Sequence, residues 1–272
     1  MITPRYDAAT VAAALGVATV EFLGAGAFGD TWRVADTAVK ILCVDGYPQD
    51  RVDREVAGLG RVGSPHVVKL LGTSTVSLGG ATRTTLTFDY VAGGDLAEPL
   101  EAGQRPDATE ARELLQGLLA GVRDMHAADG TVHRDIKPQN IARRGGAWGH
   151  PVILDLGLAK AVTEPTVTLY PNRLGTAAYM SPEQLKGQRA RKASDLFSVG
   201  VTVRHVITGE HPFYDLGATV TWDQLVALTK NAPRSLPADM DSKVVEVLDV
   251  LVSHAQHDRG SAVSALRRLE RT

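Results

Sequence analysis

The chain of 272 residues predicts an α+β protein in two parts, and two changes of texture carry that expectation. Up to about Val91 the apolar runs are short, rich in Val, Ile, Leu and Thr and bounded by Gly, as strands are. After Asp95 apolar residues recur at three- and four-residue spacing, as they do on the buried faces of helices. The Gly93-Gly94 pair marks the change. A small strand-rich part at about 19–91 is therefore expected before a larger helical part at about 92–272, with residues 1–18 as an extension carrying a short helix.

In chain order, Asp7 is a good N-cap and Gly16 a good C-cap for that short Ala-rich helix. Strands are expected at Val17–Leu23, Thr31–Val34, Thr37–Leu42, Val67–Ser74 and Arg83–Tyr90, interrupted by one helix at Asp50–Val62. Ala111, Leu114, Leu115, Leu118, Leu119, Val122 and Met125 form the apolar stripe of a long helix, Ala108–Ala128. Further helices fit Ser194–Thr208, Trp222–Lys230, Asp241–His254 and Ser261–Arg271, with short strands at Thr131–Val132 and Val152–Asp155. No repeat of 20 to 50 residues and no low-complexity linker is present.

Composition excludes several classes. The 29 basic and 31 acidic residues and a pI near 6.4 argue against a nucleic-acid binder that neutralises many phosphates. Cys43 is the only cysteine, so no intrachain disulfide or cysteine-based zinc site can form, which fits a reducing compartment and a cytoplasmic protein. The uncharged stretch Ala8–Val20 is too short for a membrane helix, and cleaving it as a signal peptide would remove part of the first strand. His254 and His257 are spaced like metal ligands, but no carboxylate or thiol set joins them.

Two segments carry chemistry. Gly24-Ala25-Gly26-Ala27-Phe28-Gly29 spells G-x-G-x-x-G, whose glycines let backbone amides approach phosphate oxygens. A dinucleotide site needs a helix directly after such a turn, whereas Thr31-Trp32-Arg33-Val34 reads as a strand, so the turn joins a hairpin that can cover phosphates. Lys40 lies on the next strand, where it is either an ordinary exposed lysine or a phosphate ligand paired with Glu55. The stronger segment is His133-Arg134-Asp135-Ile136-Lys137-Pro138-Gln139-Asn140, which puts a carboxylate, an ammonium and a carboxamide into one loop. Asp155 ends the apolar run Val152-Ile153-Leu154 nearby in sequence. Together these supply oxygen ligands for magnesium, a base for an incoming hydroxyl and a cation for a transferring phosphate.

With G-x-G-x-F-G, A-V-K, a helix glutamate, H-R-D-I-K-P-Q-N, D-L-G, G-T-A-A-Y-M-S-P-E and D-x-x-x-x-G in that order, the chain resembles the eukaryotic-like Ser/Thr protein kinases, with a bacterial flavour. The resemblance runs from about Val20 to Leu269 and implies a bilobal kinase fold, its small lobe an antiparallel sheet with one main helix. It implies transfer of the γ-phosphate of ATP to protein Ser or Thr hydroxyls, with Mg2+ and Mn2+ as an acceptable substitute. Lys40 would bind the α- and β-phosphates and pair with Glu55; Asn140 and Asp155 would hold the metal; Asp135 would orient the hydroxyl and Lys137 steady the γ-phosphate. Leu23, Gly24, Ala25, Gly26, Phe28, Gly29, Thr31, Ala38 and Ala142 would line the nucleotide site, and Asp89 and Val91 would offer hinge backbone groups below Phe88. Asp95 has two readings, ribose partner or helix N-cap.

Asp155 to Glu183 would be the activation segment, with Thr176 against Asp135 and Lys137 and Glu183 in a buried pair with Arg259. Arg134 before the aspartate implies switching by phosphorylation; Thr163, Thr166, Thr168 and Tyr170 are candidates, Thr168 the principal one, received by Arg134 and Lys160. Asp195 would hold the backbone of the catalytic loop. Thr31, Ala142, Leu156 and Ser181 depart from the commonest spellings, and the missing D-P before Arg259 weakens that assignment. Rival readings are a nucleotide-binding pseudokinase, a small-molecule phosphotransferase and a pure interaction module. Expected partners are protein substrates of unstated identity and a second copy for trans-autophosphorylation, without nucleic acid or membrane insertion.

Overall fold

The computed structural model describes residues 3–26, 29–43, 56–58, 60–128, 131–155, 177–218 and 220–270. They fall into two units, Met1–Arg61 with Val68–Tyr90, and Val62–Val67 with Val91–Thr272.

The first unit opens on α1 (Ala8–Leu15). Asp7 Oδ1 accepts from Thr10 N at 2.8 Å to start it, and Gly16 at φ 68° stops it, as the sequence predicts. Five strands follow: β1 (Glu21–Gly26), β2 (Gly29–Val34), β3 (Thr37–Leu42), β4 (Leu70–Leu78) and β5 (Ala81–Asp89). They pair antiparallel in the order β1-β2-β3-β5-β4. The first strand starts later than Val17 because Val17 N still closes the helix, donating to Ala12 O at 3.0 Å. Of the expected helix Asp50–Val62, residues 56–58 are helical and Gly60-Arg61 form a turn, while 50–55 and 59 lie outside the described residues.

Strand alternation sorts the sheet into two faces. Trp32, Val39 and Ile41 meet Val11 of α1 and Leu78 in one core, with Phe22 edge-on to Trp32 at 5.2 Å between ring centroids. Each fully buried side chain of this kind contributes about 1.5–3 kcal/mol, so α1 is part of the core and not an appendage. Cross-strand register puts Thr31 opposite Lys40, and Ala38 opposite Phe88, on the other face. At Gly29 an added Cβ would stand 1.9 Å from Ile41 O, so only glycine allows β2 and β3 to close here.

The second unit contains α2 (Ala97–Glu101), α3 (Ala108–Ala127), a one-turn helix (Pro138–Asn140), β6 (Ile141–Arg143), β7 (Pro151–Ile153), α4 (Pro182–Leu185), α5 (Lys192–Thr208), α6 (Trp222–Leu228), α7 (Ser242–Leu251) and α8 (Ala262–Glu270). A reciprocal capping box between Asp107 and Glu110 starts α3, which buries the predicted stripe completely. It packs against α5, α8 and β7. α5 is buried on all sides from Ser194 to Ile207, so it is the central element of this unit.

Two strand expectations need correction. Thr131–Val132 is irregular chain; the partner of β7 is β6, with Ile141 opposite Ile153 and Arg143 opposite Pro151. Three-residue strands carry too little alternation to be read, and their pairing is decided by the turns between them. β7 also stops at Ile153: Leu154 N makes one more bond in register, donating to Asn140 O at 2.8 Å, and Asp155 then turns away at φ 53°. No described helix is long and apolar enough to cross a membrane.

Candidate active site

Asp195, fully buried in the first turn of α5, organises the loop that follows α3. Its Oδ2 accepts from His133 N at 2.9 Å and its Oδ1 from Arg134 N at 2.8 Å, while His126 Nε2 at the end of α3 donates to Oδ2 at 2.9 Å. Three donors satisfy a carboxylate that burial alone would make costly. Arg134 sits at φ 70°, a conformation that costs a non-glycine residue about 1 kcal/mol or more and that these bonds hold in place. His133 Nδ1 accepts from Asp135 N at 3.2 Å, so the ring proton is on Nε2, which donates to Leu154 O at 2.7 Å.

This frame brings Asp135, Lys137 and Asn140 together. Lys137 Nζ lies 3.0 Å from Asp135 Oδ2; Asn140 Nδ2 donates to the same oxygen at 3.1 Å and to Asp135 O at 2.8 Å. The carboxylate and ammonium keep 23% and 17% exposure, enough to meet a substrate, while Asn140 is buried. The Leu154–Asn140 backbone bond ties the segment carrying Asp155 to Asn140. With its amide nitrogen committed to Asp135, Asn140 would offer its carboxamide oxygen to a metal ion. One carboxamide and one carboxylate oxygen are a hard donor pair of the kind magnesium takes alongside water and phosphate oxygens. The residues therefore fit the metal, although no group of three or more His, Cys, Asp or Glu forms a cage among the described residues.

In the first unit Lys40 is 5% exposed at the middle of β3, so it is not the solvated strand lysine of the alternative reading. Thr31 and Ala38 share its face, whereas Leu23 is exposed and falls in the bulge between Phe22 and Gly24. In the second unit Val91 and Ala142 are buried. Asp95 is a helix cap: its Oδ1 accepts from Ala97 N at 2.8 Å and Glu98 N at 3.1 Å. Phe28, Glu55, Leu156, Lys160, Thr163, Thr166, Thr168, Tyr170 and Thr176 lie outside the described residues.

Arg259, the least secure assignment from sequence, makes the pair with Glu183. Its Nη1 and Nη2 donate to Oε1 and Oε2 at 2.8 and 3.1 Å. The remaining N–H groups reach Ser253 O, Ala193 O and His254 O, which uses all five guanidinium donors, and the plane lies over the Phe197 ring at 4.8 Å. Burial alone would raise the Glu183 carboxyl, but the hydrogen bonds and charge of Arg259, with Ser194, outweigh it and hold the group below its ordinary value.

Sequence reading missed two supports. Gln184 Oε1 accepts from Ser181 N at 3.2 Å and Ser181 Oγ at 3.0 Å, capping α4, while its Nε2 donates to Arg134 O at 3.0 Å. One side chain thus links the S-P-E-Q segment to the residue before Asp135; the S-x-x-Q capping spelling was its only sequence signal. Behind it, His211 Nε2 and Tyr214 Oη both donate to Ala178 O, at 2.8 and 2.6 Å, and Tyr179 Oη meets His205 Nδ1 at 2.8 Å. Burial depresses His205 to about 4 and His211 to about 3, so both rings are neutral at pH 7. His254, bonded to Thr229 Oγ1 at 2.9 Å, packs as a structural residue, and His257 is exposed.

Comparison with known proteins agrees with this geometry. Residues 17–269 match the protein kinase domain family. Serine/threonine-protein kinase PknA of Mycobacterium tuberculosis is 31% identical over 84% of this chain and 54% of its own. Probable serine/threonine-protein kinase PknB of Corynebacterium glutamicum is 28% identical over 86% and 38%. The chain thus spans about half or less of these curated relatives. Among solved structures, Rad53 in complex with AMP-PNP superposes with a TM-score of 0.71 at 25% identity, covering 91% of this chain and 63% of that one. A family match across nearly the whole sequence, an α+β kinase architecture and the H-R-D loop assembled around Asp195 lead to one conclusion: the chain belongs to the protein kinase family.

Proposed function

We propose that the chain transfers the γ-phosphate of Mg-ATP to Ser or Thr hydroxyls of proteins. The observation that carries this is the Asp135–Lys137–Asn140 constellation, fixed from behind by Asp195. Asp135 orients the acceptor hydroxyl and takes its proton as the oxygen attacks Pγ and the bond from Pγ to the β-phosphate oxygen breaks, releasing ADP. Lys137, beside that carboxylate, steadies the charge on the transferring phosphoryl group, and Lys40 holds the α- and β-phosphates. Asn140 and Asp155 would hold magnesium, which neutralises phosphate charge when bound. Thr31 and Ala38 would face the adenine in this reading.

The relatives named as Ser/Thr kinases support protein hydroxyls as acceptors. Activation by phosphorylation of Thr168 between two copies of the chain belongs to the same proposal, as does work in the cytoplasm, which the single cysteine favours. The test is transfer of labelled phosphate from ATP to a Ser/Thr-containing protein. Asp135→Ala should lose about 10²–10⁴-fold in kcat and Asp155→Asn at least as much. Transfer that is unchanged in either variant overturns the mechanism, and mass spectrometry of the wild type locates any phosphate between Thr163 and Tyr170.

A further inference from the structure

We propose that Arg5 is a positioning residue for the glycine-rich hairpin: the segment before the kinase match reaches back and clamps the base of the phosphate loop. This rests on the kinase reading for its catalytic consequence, but the clamp itself is visible in the fold. The Arg5 guanidinium pairs with Asp30 Oδ1, its second nitrogen donates to Gly26 O at 2.8 Å, and Arg5 N donates to Asp30 Oδ2 at 2.6 Å. Gly26 ends β1 and Asp30 lies one residue into β2, and the strands are last paired at Gly26–Gly29. One side chain therefore spans both strands where they leave for the loop.

Two further observations make this more than a surface contact. The Asp30 side chain is 1% exposed, and Arg5 supplies both a cation and a backbone N–H to this buried carboxylate. Arg5 is itself anchored. Its neighbour Tyr6 occupies the space beside Gly79 at the β4–β5 turn, where an added Cβ would come within 2.4 Å of the Tyr6 hydroxyl oxygen, and Val11 of α1 is fully buried beside Trp32. Arg5, Tyr6 and Val11 all precede residue 17, where the family match begins, so this half of the clamp lies outside the matched residues. It approaches from the α1 side of the sheet, opposite the face that carries Thr31 and Lys40, and so restrains the hairpin without occupying the face that would meet nucleotide. A restraint of this kind preorganises binding of the phosphates in ground and transition states alike, which appears in KM more than in kcat.

The test compares full-length Arg5→Ala, Arg5→Lys and Thr10→Ala. Thr10→Ala removes the hydroxyl bond from Thr10 Oγ1 to Asp7 Oδ2, keeps the backbone N–H bond, and loosens the start of α1 without touching the hairpin. Hydrogen exchange of the 21–34 segment is followed without nucleotide, and KM and kcat are measured with Mg-ATP. Arg5→Ala should exchange about threefold faster in 21–34 and raise KM about fivefold, with kcat within about twofold. Arg5→Lys should fall between, since a single ammonium opposes Asp30 but cannot also reach Gly26 O. Thr10→Ala should lower Tm and leave KM unchanged. Unchanged exchange in Arg5→Ala, or a KM in Thr10→Ala that rises in step with lost stability, overturns the clamp. If the wild type transfers no phosphate the kinase reading falls, while the exchange measurement still decides the clamp.

Discussion

Replacing Arg259 by Met is the most informative single perturbation of the fold. The guanidinium is fully buried, Glu183 is 7% exposed, and five N–H groups are satisfied at once. Methionine fills the volume but leaves the carboxylate without its cation, the Ser194 bond at 2.7 Å remaining. Breaking a buried pair in this way costs about 3–5 kcal/mol. At about 2–4 °C per kcal/mol for a domain of this size, Tm should fall by about 6–20 °C in calorimetry at pH 7. The exposed Lys243–Glu246 pair is the control: Lys243→Met should cost under about 1 kcal/mol. Because the folded Glu183 carboxyl titrates below its ordinary 4.5, the folded state binds fewer protons than the unfolded one near that pH. The pair's contribution is therefore full above pH about 4.5 and is lost as pH falls through the lower folded value. The Tm gap between wild type and Arg259→Met should narrow from pH 6 to pH 4. An Arg259→Met Tm as close to wild type as that of Lys243→Met, or a gap that widens with acid, would refute the reasoning.

Gln184→Glu retains the acceptor for Ser181 but loses the donor for Arg134 O, so kcat should fall about tenfold with Tm within about 2 °C; unaltered steady-state kinetics would reduce Gln184 to a cap. His205 and His211, depressed mainly by burial to about 4 and about 3, stay neutral in the fold while the unfolded chain takes up protons below pH about 6.5. Stability should therefore decline from pH 6.5 toward 4, and His211→Gln should flatten that decline in a Tm series; an equally steep slope contradicts the assignment. Gly93→Ala places a Cβ 2.0 Å from Arg143 O at φ 125° and should lose about 3 kcal/mol or fail to fold, whereas Gly145→Ala, at φ 65° in open space, should cost about 1 kcal/mol by urea titration.

The amino-acid sequence alone makes legible whatever a short stretch of chain determines by itself. Asp7 and Gly16 bracket α1, and the stripe from Ala111 to Met125 is the buried face of α3, because caps and helical periodicity are local physics. The H-R-D-I-K-P-Q-N loop was legible for the same reason, its three functional side chains being held within eight residues. The pairing of β6 with β7 was not, since Ile141–Arg143 has no alternation of its own and is a strand only because Ile153 lies opposite. Nor was the reach of Gln184 to Arg134, or of Arg5 to Asp30, because such bonds join residues 50 and 25 positions apart and depend on where the backbone passes. The pair of Arg259 with Glu183 is expected only from the family resemblance, and the bonds that hold it join residues 76 positions apart, which no local pattern records.

The Asp195 carboxylate binds the end of α3 and two consecutive amides of the catalytic loop from inside the most buried helix of its unit. Those amides have no separate way to open: freeing the His133 and Arg134 protons requires α5 to leave its packing. Their hydrogen exchange should then run at the rate of global unfolding, as slow as any core amide, although the loop itself has no regular secondary structure around them. Heat should accordingly not inactivate this loop by gradual loosening. Its geometry should persist until the helical unit melts and vanish with it in one cooperative step.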